Sequence, residues 1–372
     1  MTDFTPLSGK IALVAGATRG AGRGIACMLG KAGATVYCTG RSVRGKPAGD
    51  RPETIEGTAE RVTALGGHGI AVQVDHTQEA QVVSLMERIR SEQGRIDILV
   101  NDIWGGDELT EWGKPFWELD VKKGFQLIER ALHTQLLPAR HGVPLMHGHP
   151  GGLVVEITDG DSIVNRHYRG NLFYDLVKTT VMRLAFGMAQ ELRDHHIAAV
   201  ALSPGFLRSE AVLELFGVTE ESWRDAIEKD PSFAESESPW LVGRAVAALA
   251  ADPFVLAKSG QSFATWTLAK EYGLTDADGR RPDMGTVLEE GTAERFEAVV
   301  EAVGERLRAD GLDPERVLQI DADRLAILGR VERAGEAAWL PWCAGHVDVW
   351  FSEPGDLAKS FVAWWRSAGE QG

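Results

Sequence analysis

Tyr174 and Lys178 stand four residues apart in NLFYDLVKTTVMRLAFGMAQEL, a stretch whose apolar residues recur at helical spacing. Residues four apart share one face of a helix. A lysine ammonium beside a phenol favours the phenolate and lowers the tyrosine pKa from its usual value of about 10. A tyrosine tuned this way can pass a proton to or from a substrate oxygen near neutral pH. Alone, such a pair is common on helices and mostly structural, so its meaning depends on what lies upstream. There the chain reads VAGATRGAGRGIA, in which Gly16, Gly20 and Gly22 give G-x-x-x-G-x-G directly after an apolar run. The first glycine permits a tight turn, and the others let the backbone approach a pyrophosphate closely. The following helix N-terminus offers free amides and the positive end of its dipole. Thr18 and Arg19 lie inside this loop. The spacing in this context predicts dinucleotide binding.

The second apolar run ends in TGRSVR, with Arg41, Ser42 and Arg44. An NAD site usually carries an acidic residue here for the ribose 2′-hydroxyl. Guanidinium groups suit a 2′-phosphate instead, with Arg19 adding a further charge from the loop. NADP(H) is the expected cofactor.

These residues need elements to hold them. Short apolar runs at 11–16, 35–40, 70–75, 96–101, 153–158 and 198–203 alternate with stretches of helical period. That pattern predicts an α/β doubly wound (Rossmann) parallel sheet of about seven strands with helices on both faces. Ligand is expected beyond the C-terminal ends of the strands. Residues 1–275 read as the NADP-binding and catalytic domain, with 206–240 as a lid or, alternatively, a helical excursion packed for stability. Within that lid, Leu213, Leu215, Phe216 and Trp223 are expected to face inward. Residues 276–372 read as a linker and a small, mostly helical extension dense in tryptophan: Trp339, Trp342, Trp350, Trp364 and Trp365.

Bulk properties narrow the function classes. The net charge of −15, with no basic stripe to offset it, disfavours nucleic acid and anionic membranes as partners. No apolar run reaches the roughly 18 residues of a membrane span. The start MTDFTPLSGK lacks a secretory layout, so cytoplasmic residence is expected. Three cysteines are too few and too badly spaced for a zinc site or a disulfide framework. His141, His147 and His149 lie in one loop without an accompanying carboxylate or cysteine cluster, and no metal is expected there.

From about Lys10 to Gly273 the sequence resembles the short-chain dehydrogenase/reductase family. The resemblance rests on Gly16/Gly20/Gly22, Asp75 after the third strand, Asn101 after the fourth, Tyr174/Lys178, and SPGFLRS after the sixth. It implies that Asp75, with His76, contacts the adenine, and that Lys178 also holds the nicotinamide ribose. It further implies that Pro204, Gly205, Leu207 and Ser209 border the carboxamide, with Asn101 also at the cofactor. Hydride would pass between nicotinamide and a carbonyl or alcohol carbon of a small molecule while Tyr174 handles the proton. Family habit implies a homodimer or homotetramer through the helices containing residues 115–139 and 170–193.

The chain departs from the family at several places. Asn-Asn-Ala-Gly is replaced by Asn101-Asp102-Ile103-Trp104-Gly105, which puts the bulky Trp104 at the substrate pocket. The family's relay asparagine is missing from 115–140, where His133 or Gln135 lies nearest its place. The Asp-Gly-Gly pattern after the seventh strand is also absent. Trp104, Asp159, Tyr168, Phe206 and Phe216 are the substrate-pocket candidates.

Family members place a serine about a dozen residues before the tyrosine, donating to the substrate carbonyl. Counting back from Tyr174 selects Ser162, while alignment through the strand LVVEIT selects Asp159. Chemistry favours Ser162, because a hydroxyl can donate where an ionised aspartate would repel developing negative charge. Two other classes stay open beside the reductase: a dinucleotide-binding regulator with little turnover, and a non-redox epimerase or lyase.

Overall fold

Alternate residues of each main strand are buried on opposite sides of the sheet. In β1 (Ile11–Ala15), Ala12 and Val14 join Ile25, Val36 and Val246, while Ile11 and Leu13 join Tyr37, Val82 and Ile89. A sheet covered on both faces needs strands that are apolar at every position, and this is why the runs show no polar alternation. The structure, a computed structural model, describes residues 5–160, 168–321, 325–333, 336–343 and 353–370.

The remaining strands are β2 (Thr35–Gly40), β3 (His68–Gln73), β4 (Ile98–Asn101), β5 (Gly152–Ile157), β6 (Ile197–Ser203) and β7 (Ser262–Ala264). They form a seven-stranded parallel sheet in the order β3-β2-β1-β4-β5-β6-β7. Helices α1 (Gly20–Lys31), α2 (Ile55–Ala64), α3 (Glu79–Gln93), α4 (Val121–Gly142) and α5 (Leu172–Leu192) follow the first five strands. After β6 come α6 (Glu210–Phe216) and α7 (Pro239–Ala251), and after β7 comes α8 (Thr265–Tyr272). Residues of α1, α2 and α7 pack on one face, and residues of α3, α4 and α5 on the other. This is the doubly wound fold expected from the sequence. Strand order reverses between β1 and β4, so the ligand crevice opens beside Gly16 and Asn101.

The 206–240 segment has its own small core, in which buried Trp223, Ala226 and Phe233 receive Phe206, Leu213 and Phe216. Leu215 departs from the inward orientation expected of it, being 80% exposed. The helix α6 has only seven residues, and its half-buried Val212, Leu213 and Phe216 take the side that packs on this core.

By compactness the chain divides into Met1–Ile163 with Asn171–Met284, and Val164–Gly170 with Gly285–Gly372. The second unit contains α9 (Met284–Ala309), the short α10 (Pro314–Val317) and α11 (Pro354–Glu370). It also holds an antiparallel sheet absent from the sequence-based expectation: β8 (Leu318–Asp321), β9 (Ala326–Arg333) and β10 (Glu336–Cys343), in the order β10-β9-β8. Phe296, Val299, Val303, Ile327 and Phe361 form its core, and Trp342 stacks edge-on against Phe361 at 5.3 Å. Trp364 and Trp365 also pack there, whereas Trp339 is partly exposed and Trp350 lies outside the described residues.

Candidate active site

Parallel pairing sets Ala15 beside Asn101 and Asn101 beside Glu156, so the ends of β1, β4 and β5 share one rim. The Asp102 amide donates to Ala15 O at 2.8 Å, bringing the turn after β4 against the glycine loop. Gly16 has φ +94°, and a Cβ there would overlap the Asp102 carbonyl. A Cβ on Gly22 would overlap the Gly16 carbonyl and press on the Asp102 carboxylate. Only glycine fits these two positions, and the result is a backbone cradle of the kind that receives a pyrophosphate at a helix N-terminus.

Around this cradle the predicted residues are placed unevenly. The Thr18 hydroxyl lies against Gly40 at the end of β2, and Arg19 Nε is 3.7 Å from Glu53. Ser42 is buried, its Oγ accepting the Ala48 amide. Arg41 is exposed at the strand end, near enough to Asp75 to favour that carboxylate's charge. Arg44 instead reaches α2, where its Nη2 contacts both Glu60 oxygens at 2.8 and 2.9 Å. Asp75 accepts the Thr77 amide and hydroxyl. His76 is buried, with Nε2 2.8 Å from Thr39 Oγ1, and burial pushes its pKa down to about 4. The imidazole is therefore neutral and tied to the sheet.

Asn101 is fully buried and turned inward. Its Nδ2 donates to Glu156 Oε1 at 2.7 Å and to the Gln135 carbonyl at 3.1 Å, fastening β4 to β5 and α4. Burial raises the Glu156 carboxyl to about 8, with the Asn101 hydrogen bond opposing. Between about pH 4.5 and 8 the folded chain thus keeps a proton that the unfolded chain releases, and stability falls as pH rises through that window. Glu156→Gln keeps the shape and removes this loss. Its melting temperature is expected to drop less than that of the wild type between pH 5 and pH 8, which thermal unfolding by circular dichroism across that range will show.

Asn171 caps α5 by accepting the Tyr174 amide at 3.0 Å, and its own Nδ2 donates to the Glu111 carbonyl. Thr158 Oγ1 donates to the Lys178 carbonyl at 2.7 Å, fixing the helix to the end of β5. Tyr174 Oη consequently meets Asp159, donating to Oδ2 at 2.8 Å. Ser162 lies outside the described residues. Trp104 stands edge-on to the Tyr174 ring at 5.5 Å, and Trp112 lies 5.1 Å from it. Lys178 Nζ sits 3.9 Å from the Trp104 ring centre and 5.4 Å from the Tyr174 ring. Lys178, Asp102 and Gln135 line a cavity of about 30 Å³ with Trp104, Val177 and Val181. Gln135 is buried and His133 exposed, so of the two relay candidates Gln135 is the one at the site. Burial lifts the Asp102 carboxyl to about 7, drawn back by the Gly22 amide and the Lys178 charge.

Past β6, Ser203 Oγ accepts the Gly160 amide and donates to the Pro204 carbonyl. Gly205 lies against the buried Glu237, and Leu207 bridges to Glu237 through the backbone. The Ser209 hydroxyl caps α6 by accepting the Val212 amide. Phe206 and Phe216 both pack edge-on against Phe233, at 4.7 and 4.5 Å, inside the 206–240 segment. Tyr168 is partly exposed and falls in the short stretch that groups with the second unit. His141 contacts Glu79 and His147 stacks on His195 at 4.3 Å; among the described residues no three potential ligands gather around a metal position.

Sequence reasoning missed Trp112, the inward Asp102 carboxyl, Glu210 and the buried Arg208. The aromatic density of WGGDELTEWGKPFW could have pointed to Trp112. The others depend on partners remote in the chain.

A glycine cradle at the point where strand order reverses, beside a helix that can move a proton, belongs to nucleotide-dependent oxidoreductases. The sequence pattern of the short chain dehydrogenase family matches residues 10–216, and this chain belongs to that family. Its members are oxidoreductases that use a nicotinamide dinucleotide. The chain is 37% identical to dehydrogenase/reductase SDR family member 1 of Mus musculus, across 74% of this chain and 85% of that one. It is 30% identical to a 7alpha-hydroxysteroid dehydrogenase of Clostridium sardiniense, across 56% of this chain and 74% of that one. A crystal structure of a putative dehydrogenase from Xanthomonas campestris shares the fold with a TM-score of 0.61 at 24% identity, covering 75% of this chain and 95% of that one.

Proposed function

We propose that this chain is an NADP(H)-dependent reductase of carbonyl groups in small, largely apolar molecules, with Tyr174 as proton donor and acceptor. The observation that carries this reading is the position of Tyr174 Oη and Lys178 on α5, beside the strand ends and the glycine cradle. A bound nicotinamide supplies or accepts the hydride. The chain's residues do the rest. The Gly16–Gly22 backbone holds the pyrophosphate, Arg41 and Arg19 take the 2′-phosphate, and Asp75 takes the adenine. Lys178 holds the ribose and favours the phenolate, while Trp104 and Trp112 exclude water around the Tyr174 hydroxyl. The hydroxysteroid named for the Clostridium relative, a largely apolar alcohol, supports this substrate class.

The third member of the site is Ser162 by chemistry, but the Asp159–Tyr174 hydrogen bond favours a second reading in which Asp159 takes that place. Exposed Phe125 and Leu136 on α4, with Leu176 and Phe186 on α5, support a homodimer or homotetramer through those helices. Cytoplasmic residence completes the reading.

A screen of NADPH oxidation over ketones and aldehydes, beside direct titration of both dinucleotides, tests it. NADPH is expected to bind more tightly than NADH, and Arg41→Asp to reverse that order. Tight NADPH binding without turnover on any carbonyl would sink the reductase reading in favour of a binding protein. Tighter binding of NADH would refute the roles of Arg19 and Arg41.

A further inference from the structure

Helix α6 reaches back to the phosphate cradle. Glu210 Oε2 accepts the Gly20 amide at 2.8 Å, and its Oε1 lies 3.2 Å from Arg23 Nη1. Gly20 opens α1, so its amide is one of the donors that a helix N-terminus leaves without an internal partner. One turn further along α6, Glu214 pairs with Arg51 in the loop between β2 and α2. Both carboxylates of this helix therefore sit on donors of the two loops that border the dinucleotide crevice.

The base of the segment is held elsewhere. Leu207 is bridged to Glu237, and the buried Arg208 bonds to Ser236 and pairs with Asp276. Beyond Ser209, α6 packs on the segment's own core through Leu213 and Phe216, and Glu210 and Glu214 tie it to the glycine loop and the β2–α2 loop.

Carboxylates and phosphates compete for the same partners, since both are anionic oxygen acceptors drawn to helix N-termini and guanidinium groups. Two anions cannot share the Gly20 amide and Arg23 without repelling each other. We propose that Glu210 and Glu214 form a two-point latch which the phosphates of a dinucleotide displace, so that cofactor binding releases α6 from the phosphate loops. This rests on the dinucleotide reading above. In this arrangement Glu210 lowers cofactor affinity, and the lid over the crevice is set by whether the cradle holds a phosphate or the chain's own carboxylate.

Fluorescence titration with NADPH and NADH, on the wild type, Glu210→Gln and Glu214→Gln, tests the latch. Glu210→Gln is expected to bind both dinucleotides about three- to tenfold more tightly, the scale of one charge-assisted contact discounted for partial exposure. Glu214→Gln, at a more exposed site, is expected to shift binding in the same direction by less. Hydrogen–deuterium exchange of the wild type gives a measurement that needs no variant: amides of 210–216 are expected to exchange faster once NADPH is added. If the wild type binds NADPH but Glu210→Gln binds no more tightly, or α6 exchange does not rise, the latch is overturned and the dinucleotide reading stands. If neither dinucleotide binds any of the three proteins, the dinucleotide reading falls and the latch falls with it.

Discussion

Tyr174→Phe is expected to lower turnover by roughly two to four orders of magnitude, the usual contribution of a positioned acid or base. Dinucleotide affinity is expected to stay near that of the wild type. The phenyl ring preserves the edge-on packing with Trp104 and the contact with Trp112, so the pocket keeps its walls. What disappears is the Tyr174 hydroxyl, which donates to Asp159 at 2.8 Å and is carried by a residue one helical turn from Lys178. Turnover and NADPH binding measured on the same preparation separate this loss from misfolding. If turnover stayed within about tenfold of the wild type, below the usual contribution of such a group, the proton would have to come from another residue, such as its hydrogen-bond partner Asp159.

Arg208→Met is the second large effect, and it concerns stability. The Arg208 guanidinium is buried, donating to the Ser236 carbonyl at 2.6 Å and the Ser236 hydroxyl at 3.0 Å. It pairs with Glu220 at 2.8 Å and with the fully buried Asp276 at 3.5 Å, and it lies 4.3 Å from the Trp223 ring. Asp276 also accepts the amide and hydroxyl of Ser238. Replacing the cation by an apolar chain leaves the Asp276 carboxylate in the interior without its counter-charge. Loss of one partner of a buried pair costs about 3–5 kcal/mol. Urea unfolding is the measurement, and Arg208→Met combined with Asp276→Asn is expected to recover part of the loss because the buried carboxylate charge at 276 is then gone. A fall of less than about 1 kcal/mol, the scale of an exposed pair, would show that the pair is solvated rather than buried.

Much of this architecture was legible in the sequence because its signals are local. The apolar runs, the glycine loop between strand and helix, and the Tyr174–Lys178 spacing each lie within one element, and the sheet followed from their alternation. The C-terminal sheet was not legible. LQID, AILGRVER and EAAWLPWC mix charges and a proline into short strands, so neither an apolar run nor a clean alternation marks them. At the site, the unread features are pairs far apart in the chain: Gly20 with Glu210, and Arg208 with Asp276. Leu215 was misplaced for a different reason, since a two-turn helix buries one narrow face and apolar character alone does not say which residues fall on it.

The staple between Arg208 and Asp276 also bears on where the reading frame can be cut. The region matching the family pattern stops at residue 216, yet β6 takes β7 at 262–264 as its neighbour, and the buried carboxylate paired with Arg208 comes at 276. A gene shortened anywhere before that aspartate encodes a sheet without its last strand or a buried Arg208 without its buried partner. A chain that keeps both the seventh strand and that aspartate therefore runs some sixty residues past the end of the family pattern, and gene fusions or domain shuffling at this locus should respect that limit.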